Sequence, residues 1–430
     1  MKRFNKLFVT ASLLFTCISC GTVTSSDASS SSIGESSLSE EITSSVAKQK
    51  YSVAVESSIE GAGVLTGEGV YEENSDVTIS VSENEGYFFV GWYDENDELY
   101  SSEKTTIVEN VTTSRVITAK FGTLVEGGYI FEGVIYQDNE TYLSVSDYNE
   151  EVKSNVKILP SILGKPVTTI ENRAFNECEI MTSIDIPNSI TSIGNKGFSW
   201  CINLKNIDIP DSVTTLGTEV FYNCTLLERV TMSNNVTILS QGLFTDCDSL
   251  KNFVVPTSVT IIGYSAFTGC SGMVSVTIPN SVTKIEPYAF SYCLSLESVE
   301  IPNSVKKIDK SVFYDCDSLK TVVLPNTIKT IGYSAFGGCD SLENINIPNS
   351  VTTIGLYSFM YCKSLRSIVI PISVETINEG AFSSLDDLTI YCEAETKPEG
   401  WDEAWADTYG VEKYWANQWS YVDGIPTPNK

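Results

Sequence analysis

The chain has 430 residues, with 27 Lys or Arg, 55 Asp or Glu, no histidine and a formal charge of −28. That balance excludes unaided docking on nucleic acid or anionic lipid, which both reward Lys and Arg. The missing histidine removes Ser-His-Asp and Cys-His nucleophile pairs, the commonest general base and all histidine metal ligands. No Asp-x-Asp-x-Asp-Gly calcium loop appears either, so no cofactor or metal is expected, while carboxylate-pair chemistry needs no histidine and composition alone does not exclude catalysis. The 42% apolar content allows a sizeable core.

Lys2, Arg3 and Lys6 precede an apolar stretch from Leu7 to Ile18. It is too short to span a bilayer and reads as a secretory signal over residues 1–20. The stretch ends in Cys17-Ile18-Ser19-Cys20-Gly21, which resembles the bacterial lipoprotein processing site. That resemblance implies lipidation of Cys20 and attachment to the outer face of a bacterial membrane through a lipid anchor only. Cys17 stands where the motif usually has leucine; an ordinary cleaved signal is the alternative. Removing the signal leaves a mature charge near −31. Residues 21–50 are rich in Ser, Thr and Glu and read as a disordered tether.

Residues 51–122 contain short alternating stretches, Tyr51–Val55, Val77–Val81 and Val116–Phe121, separated by Gly61, Gly63, Gly67 and Gly69. This pattern predicts a small antiparallel β-module. Gly86-Tyr-Phe-Phe-Val-Gly-Trp92 followed by Ala119-Lys120-Phe121 resembles the internalin-type B-repeat of bacterial surface proteins. The resemblance implies a spacer or weak binder. Trp92 is read as core.

Phenylalanine then recurs every 23 residues from Phe175 to Phe382, ten times without an insertion. Cysteine keeps step three residues later, from Cys178 to Cys362, and proline follows from Pro187 to Pro371, missing only at Ser233. A fixed period of this length marks a solenoid. Within one repeat, Ile207 and Ile209 lie two apart and face one side of a strand, Pro210 ends the strand, and Gly217 permits a turn. Phe221 and Cys224, three apart, suit a single helical or 3₁₀ turn with both side chains inward.

Ile278-Pro-Asn-Ser-Val-Thr-Lys-Ile285 and Ala289-Phe-Ser-Tyr-Cys293 resemble the BspA-type leucine-rich repeat, with Glu286 in place of glycine. The resemblance implies a right-handed leucine-rich-repeat solenoid over residues 161–392. Residues 123–160 resemble the family's N-terminal cap hairpin, and residues 393–430 its C-terminal cap and tail. Trp401, Trp405, Trp415 and Trp419 are assigned to that closure, because open solenoid ends expose core and strand edges. The nine repeat cysteines are read as a ladder of buried reduced thiols. Their side chains point the same way, so Cβ atoms about 4.8 Å apart miss the ~3.8 Å a disulfide needs.

Strand alternation predicts which side chains leave the core. The exposed strand face carries Asp208, Arg229, Thr231, Asn252, Val254, Thr277, Glu300, Val323 and Asn346. A second candidate surface is an aromatic edge at Trp200, Tyr222, Tyr292, Tyr314 and Tyr361, which either binds sugar or peptide or shields seams between turns. No pocket of convergent, non-repeating polar groups is visible, so an enzyme is not expected. The resemblance implies a surface-exposed, adhesin-like protein recognising an extracellular protein or glycan. The alternative is an envelope spacer or presentation scaffold with no specific ligand.

Overall fold

A computed structural model describes residues 48–429 apart from 386, 408 and 409. The predicted signal, Cys20 and all but the last residues of the predicted tether lie outside the described residues. Every regular element among the described residues is a β-strand.

Two sheets form the module. Strands Gly63–Thr66, Ser75–Glu83 and Thr105–Val111 make one. In the other, Arg115–Val125 runs antiparallel to Tyr87–Tyr93 and parallel to Lys50–Ser57. Their inner faces bury Val53, Val77, Ile79, Val108, Ile117 and Phe121 around Trp92. The Trp92 indole N–H donates to the Glu103 carbonyl at 3.0 Å, so the ring is core with its one polar atom satisfied.

The sheet does not stop at the module. Arg115–Val125 also pairs with Gly128–Phe131 of the cap hairpin. The hairpin's second strand, Val134–Asp138, pairs with Leu143–Tyr148, which lies parallel to Lys165–Ile170 of the solenoid. One continuous sheet therefore runs from the module into the array. Phe88 of the module packs edge-to-face on Tyr129 of the cap at 5.6 Å and joins the solenoid core rather than its own.

Each solenoid turn contributes two short parallel strands. In one row Asn206–Asp208 pairs with Arg229–Thr231 and, after a break, Asn252–Val254 begins a five-stranded stretch. In the other row two-residue strands pair likewise, Ser192–Ile193 with Thr215–Leu216 and Ile238–Leu239 with Ile261–Ile262. Ser233, where the proline is missing, is fully buried; its Oγ donates to the Val213 carbonyl at 2.6 Å and accepts from the Asn235 amide at 3.1 Å.

The Phe–Cys segment differs from its expected helical or 3₁₀ form. It is a chain of tight turns in which the residues two before and two after each phenylalanine have positive φ. Around Phe221 these are Glu219 at 56° and Asn223 at 58°. Alternating right- and left-handed residues turn alternate N–H groups toward the next turn. The amides of Lys196, Phe198 and Trp200 donate to the carbonyls of Thr218, Val220 and Tyr222 at 2.9, 3.0 and 2.7 Å. The carbonyls of Asn195, Gly197 and Ser199, on the same peptide units, accept from Arg173, Phe175 and Glu177 of the preceding turn. Three columns of head-to-tail peptides thus run along this edge. Gly217 is also placed differently from the expectation. Its φ is not positive, and it is there for close approach: an added Cβ would sit 2.4 Å from the Asn195 nitrogen.

The ten phenylalanines stack face to face with ring centroids 5.2–5.7 Å apart and interplanar angles of 2–19°. Tyr148 continues the column at one end, and Trp405 closes it edge-on at the other. Trp401 and Trp419 are buried in the C-terminal closure, their indole N–H groups donating to the carbonyls of Val374 and Cys392, each at 3.0 Å. The cysteines are free, buried thiols, and they are more than apolar filler. Cys201 Sγ–H donates to the Phe175 carbonyl at 3.1 Å, and the pattern repeats through Cys362 and Phe336. Burial pushes Cys178 up to about 11 and Cys224 up to about 12.

Two outcomes follow from this packing. Phe290→Ala removes a fully buried ring and is expected to destabilise by about 3–5 kcal/mol in a denaturant titration, against less than half of that for Phe290→Leu. Thiols that stay protonated and inaccessible react poorly. Iodoacetamide at about pH 8 should leave the ten described cysteines unmodified in the native protein and modify all ten after denaturation, as read by peptide mass; native labelling of the Cys201–Cys362 column would contradict the packing.

Candidate functional site

The strand face is where alternation places it. Asp208, Arg229, Thr231, Asn252, Val254, Thr277, Glu300, Val323 and Asn346 are all exposed, with Val254 at 71% and Val323 at 57%. Three of them form one group. Arg229 Nη1 donates to Asp208 Oδ1 and to Thr231 Oγ1, each at 2.8 Å. The Arg229 guanidinium holds the Asp208 carboxyl below the usual carboxylate range. Asn252 accepts from Ser275 at 2.7 Å, while the remaining face residues lie farther along the array.

The strand face is not uniformly open. At its N-terminal end the module and the cap hairpin stand beside it and enclose a cleft of about 1100 Å³. The solenoid wall presents Asp185, Asp208, Asp211 and Thr231, and the facing wall presents Tyr93, Asp97, Lys120 and Glu132. Apolar side chains, among them Phe131, Val156 and Met232, complete the lining.

Lys120 organises the module wall. It is nearly buried, and its Nζ donates to Asp97 Oδ1 at 2.6 Å and to Glu132 Oε1 at 2.9 Å. It also sits 4.3 Å from the centre of the Tyr93 ring, a favourable cation–π placement. Burial opposes its charge, yet the hydrogen bonds to Asp97 and Glu132 outweigh that and hold Lys120 above the usual lysine range. Lys153 reaches the same Glu132 oxygen at 2.6 Å. These contacts join module to hairpin. Asp185 takes part in none of the ion pairs among the described residues and stands exposed on the opposite wall, in register beside Lys157.

The cleft unites Asp185, Asp208 and Thr231 of the anticipated exposed rows with residues that spacing does not single out: Tyr93, Asp97, Lys120 and Glu132. One signal for Lys120 was present. It sits between Ala119 and Phe121 in a stretch whose neighbours are all buried, and a lysine there demands buried partners.

The aromatic edge is split in exposure. Trp200, Tyr292 and Tyr361 are 45–47% exposed, whereas Tyr222 and Tyr314 are half-buried against Trp200 and Tyr292. The edge shields seams between turns and also leaves ring surface in solvent.

Lys120→Met tests the wall. Loss of its charge-assisted hydrogen bonds is expected to cost about 1–3 kcal/mol in a urea titration, and a variant as stable as the parent would show the Asp97–Lys120–Glu132 group contributes nothing to the junction.

Comparison with known proteins agrees with this architecture. Residues 168–297 and 283–393 match the family model of the BspA-type leucine-rich-repeat region, and residues 51–123 match that of the divergent InlB B-repeat domain. No curated protein matches the chain significantly. Solved structures of similar fold include a leucine-rich cell surface protein from Faecalibacterium prausnitzii. It is 22% identical, with 65% of this chain and 98% of that chain covered and a TM-score of 0.38. A leucine-rich-repeat protein of T. pallidum is 26% identical over 49% and 88% of the two chains, with a TM-score of 0.36. One from Bacteroides ovatus is 24% identical over 66% and 99%, with a TM-score of 0.35. The repeat model spans more than half of the sequence, and the chain belongs to the BspA-type leucine-rich-repeat family.

Proposed function

We propose that this protein is an adhesin-like recognition protein, carried on the outer face of a bacterial cell by a lipid on Cys20, that binds an extracellular protein through the N-terminal part of its strand face. The observation that carries the reading is the cleft between module and solenoid, which concentrates non-repeating polar groups at one place on an otherwise periodic surface. A passive spacer has no need of such a place.

The walls indicate the ligand's chemistry. The lining sets Asp97, Glu132, Asp185, Asp208 and Asp211 against Lys120, Lys153 and Lys157, with Lys157 in register beside Asp185 and Arg229 paired to Asp208, which leaves the cleft one charge negative. An extended protein segment bearing a basic side chain balances that charge, while its apolar side chains meet Phe131, Val156 and Met232. The exposed Val254 and Val323 extend the surface available to a larger partner. Polar groups in this cleft lack a nucleophile paired with a base, which favours recognition over catalysis.

The test is binding of the purified protein to a panel of matrix proteins, glycans and intact cells, beside an Asp185→Lys/Asp208→Lys variant. Saturable binding to a protein ligand should weaken about tenfold or more in the variant, since a lost charge-assisted contact is worth about 1.5–3 kcal/mol. Unchanged binding would move the site off the cleft, and no binding to any member would favour the spacer. For the anchor, Cys20→Ala should release the protein from the membrane fraction and change its processed mass; a variant equally membrane-bound with the same mass would refute lipidation.

A further inference from the structure

A second surface lies on the Phe–Cys edge, away from the strand ladder. In five consecutive turns the positions two or three residues before the core phenylalanine hold Tyr264, Tyr288, Lys310, Tyr333 and Tyr357. They form an unbroken row. Tyr264 and Tyr288 meet edge-to-face at 5.4 Å, and Tyr333 and Tyr357 at 6.1 Å. Lys310 Nζ bridges the two pairs, 5.3 Å from the Tyr288 ring centre and 5.2 Å from that of Tyr333. Tyr292, Tyr314 and Tyr361 flank the row on the other side of the phenylalanines.

These aromatics are not explained by the backbone. Tyr288 and Tyr357 have φ of 60° and 56°, and Tyr292 and Tyr361 of 59° and 64°. Left-handed φ disfavours bulky residues. Every turn holds a left-handed residue at these two positions, glycine at Gly242, Gly380, Gly269 and Gly338 and side chains such as Lys196, Glu219, Ser265 and Asp315 elsewhere, so the conformation belongs to the repeat and does not select for tyrosine. Nor are they explained by the core, which the fully buried phenylalanines already seal. Tyr264 and Tyr333 are each 42% exposed. Within the row the left-handed rings Tyr288 and Tyr357 are half-buried and Tyr264 and Tyr333 carry the exposed surface, while Tyr292 and Tyr361 across the phenylalanines are both left-handed and exposed.

We infer that the Tyr264–Tyr357 row is a stacking platform for a linear polysaccharide. A peptide docks by adding backbone hydrogen bonds or by filling pockets, the aromatic-lined grooves that take polyproline helices included. Here the three peptide columns already occupy the backbone donors and acceptors of this edge, and the ring row lies over a closed phenylalanine core. A sugar needs neither. Its C–H face stacks on an exposed ring, and its hydroxyls reach a polar neighbour, here the exposed Lys310 between the two tyrosine pairs. A receptor repeating one ring or cation per turn along its axis suits a ligand that itself repeats. The row shares no residue with the cleft, and the inference holds or fails separately from the cleft's protein ligand, though both rest on a recognition role.

The experiment is retardation of the full chain in native gels containing xylan, mannan, mixed-linkage glucan or hyaluronan, with a proline-rich peptide titrated in parallel. Tyr288→Gly/Tyr357→Gly removes two rings at positions where Gly242 and Gly380 show that glycine fits, so its melting temperature should not fall. The expected result is retardation by at least one polysaccharide that weakens about tenfold or more in this variant and is unchanged in Asp185→Lys/Asp208→Lys. The inference is overturned if no polysaccharide retards the protein, if the double glycine variant keeps its melting temperature and full retardation, or if only the peptide binds. Should the glycine variant melt lower, Tyr264→Ser/Tyr333→Ser takes its place, with the same outcomes deciding.

Discussion

Everything in this molecule depends on each turn placing the same peptide units directly over those of the turn before. Three columns of head-to-tail hydrogen bonds, through residues such as Lys196, Phe198 and Trp200, tolerate no change of register. One inserted residue would swap the donating and non-donating amides and push a phenylalanine out of its stack. The array accordingly keeps a 23-residue period across ten phenylalanines without a single insertion. The thiols from Cys201 to Cys362 belong to the same constraint, since each donates to the phenylalanine carbonyl of the preceding turn as a second bond beside the cysteine amide of that turn.

An interior fixed this tightly leaves variation only at the surface. The solenoid core repeats phenylalanine, cysteine, leucine and isoleucine, while the strand face and the turn edge change from repeat to repeat. Periodic turns leave smaller hollows, such as one of about 410 Å³ beside Thr277 and Glu300. The cleft arises where periodicity ends, because the sheet continues past the first turns into the hairpin and the module and brings Tyr93, Asp97, Lys120 and Glu132 opposite Asp185 and Asp208. The module is thus part of the scaffold that shapes recognition, with Phe88 driven into the solenoid's core and Lys120 pinned to the hairpin's Glu132.

What the sequence made legible follows from the same physics. Buried phenylalanines, free cysteines and the exposed strand rows are periodic, and spacing reveals them; the tryptophan closure is legible through the resemblance to the family's C-terminal cap. Long-range placement was not legible. Lys120 and Glu132 are distant in character, one inside a strand and one at a hairpin turn, and nothing in their spacing announces the ion pair. The left-handed residues were hidden for a different reason. At the position after next to phenylalanine, Gly269 and Gly338 signal positive φ, but Trp200, Tyr292 and Tyr361 adopt it without the usual composition. The three-residue spacing of Phe221 and Cys224 therefore read as a helical turn, which shares that spacing but not the peptide orientation.

The claim on which the functional reading rests is that module, hairpin and first solenoid turns form one rigid body. Hydrogen exchange of the full chain, followed by mass spectrometry, tests it directly, because units that open separately exchange separately. The structure predicts that amides of Arg115–Val125, Val134–Asp138 and Lys165–Ile170 are protected together and lose protection together as denaturant is added. Early, independent exchange of Arg115–Val125 while Lys165–Ile170 stays protected would contradict it, and the cleft would then have only one fixed wall.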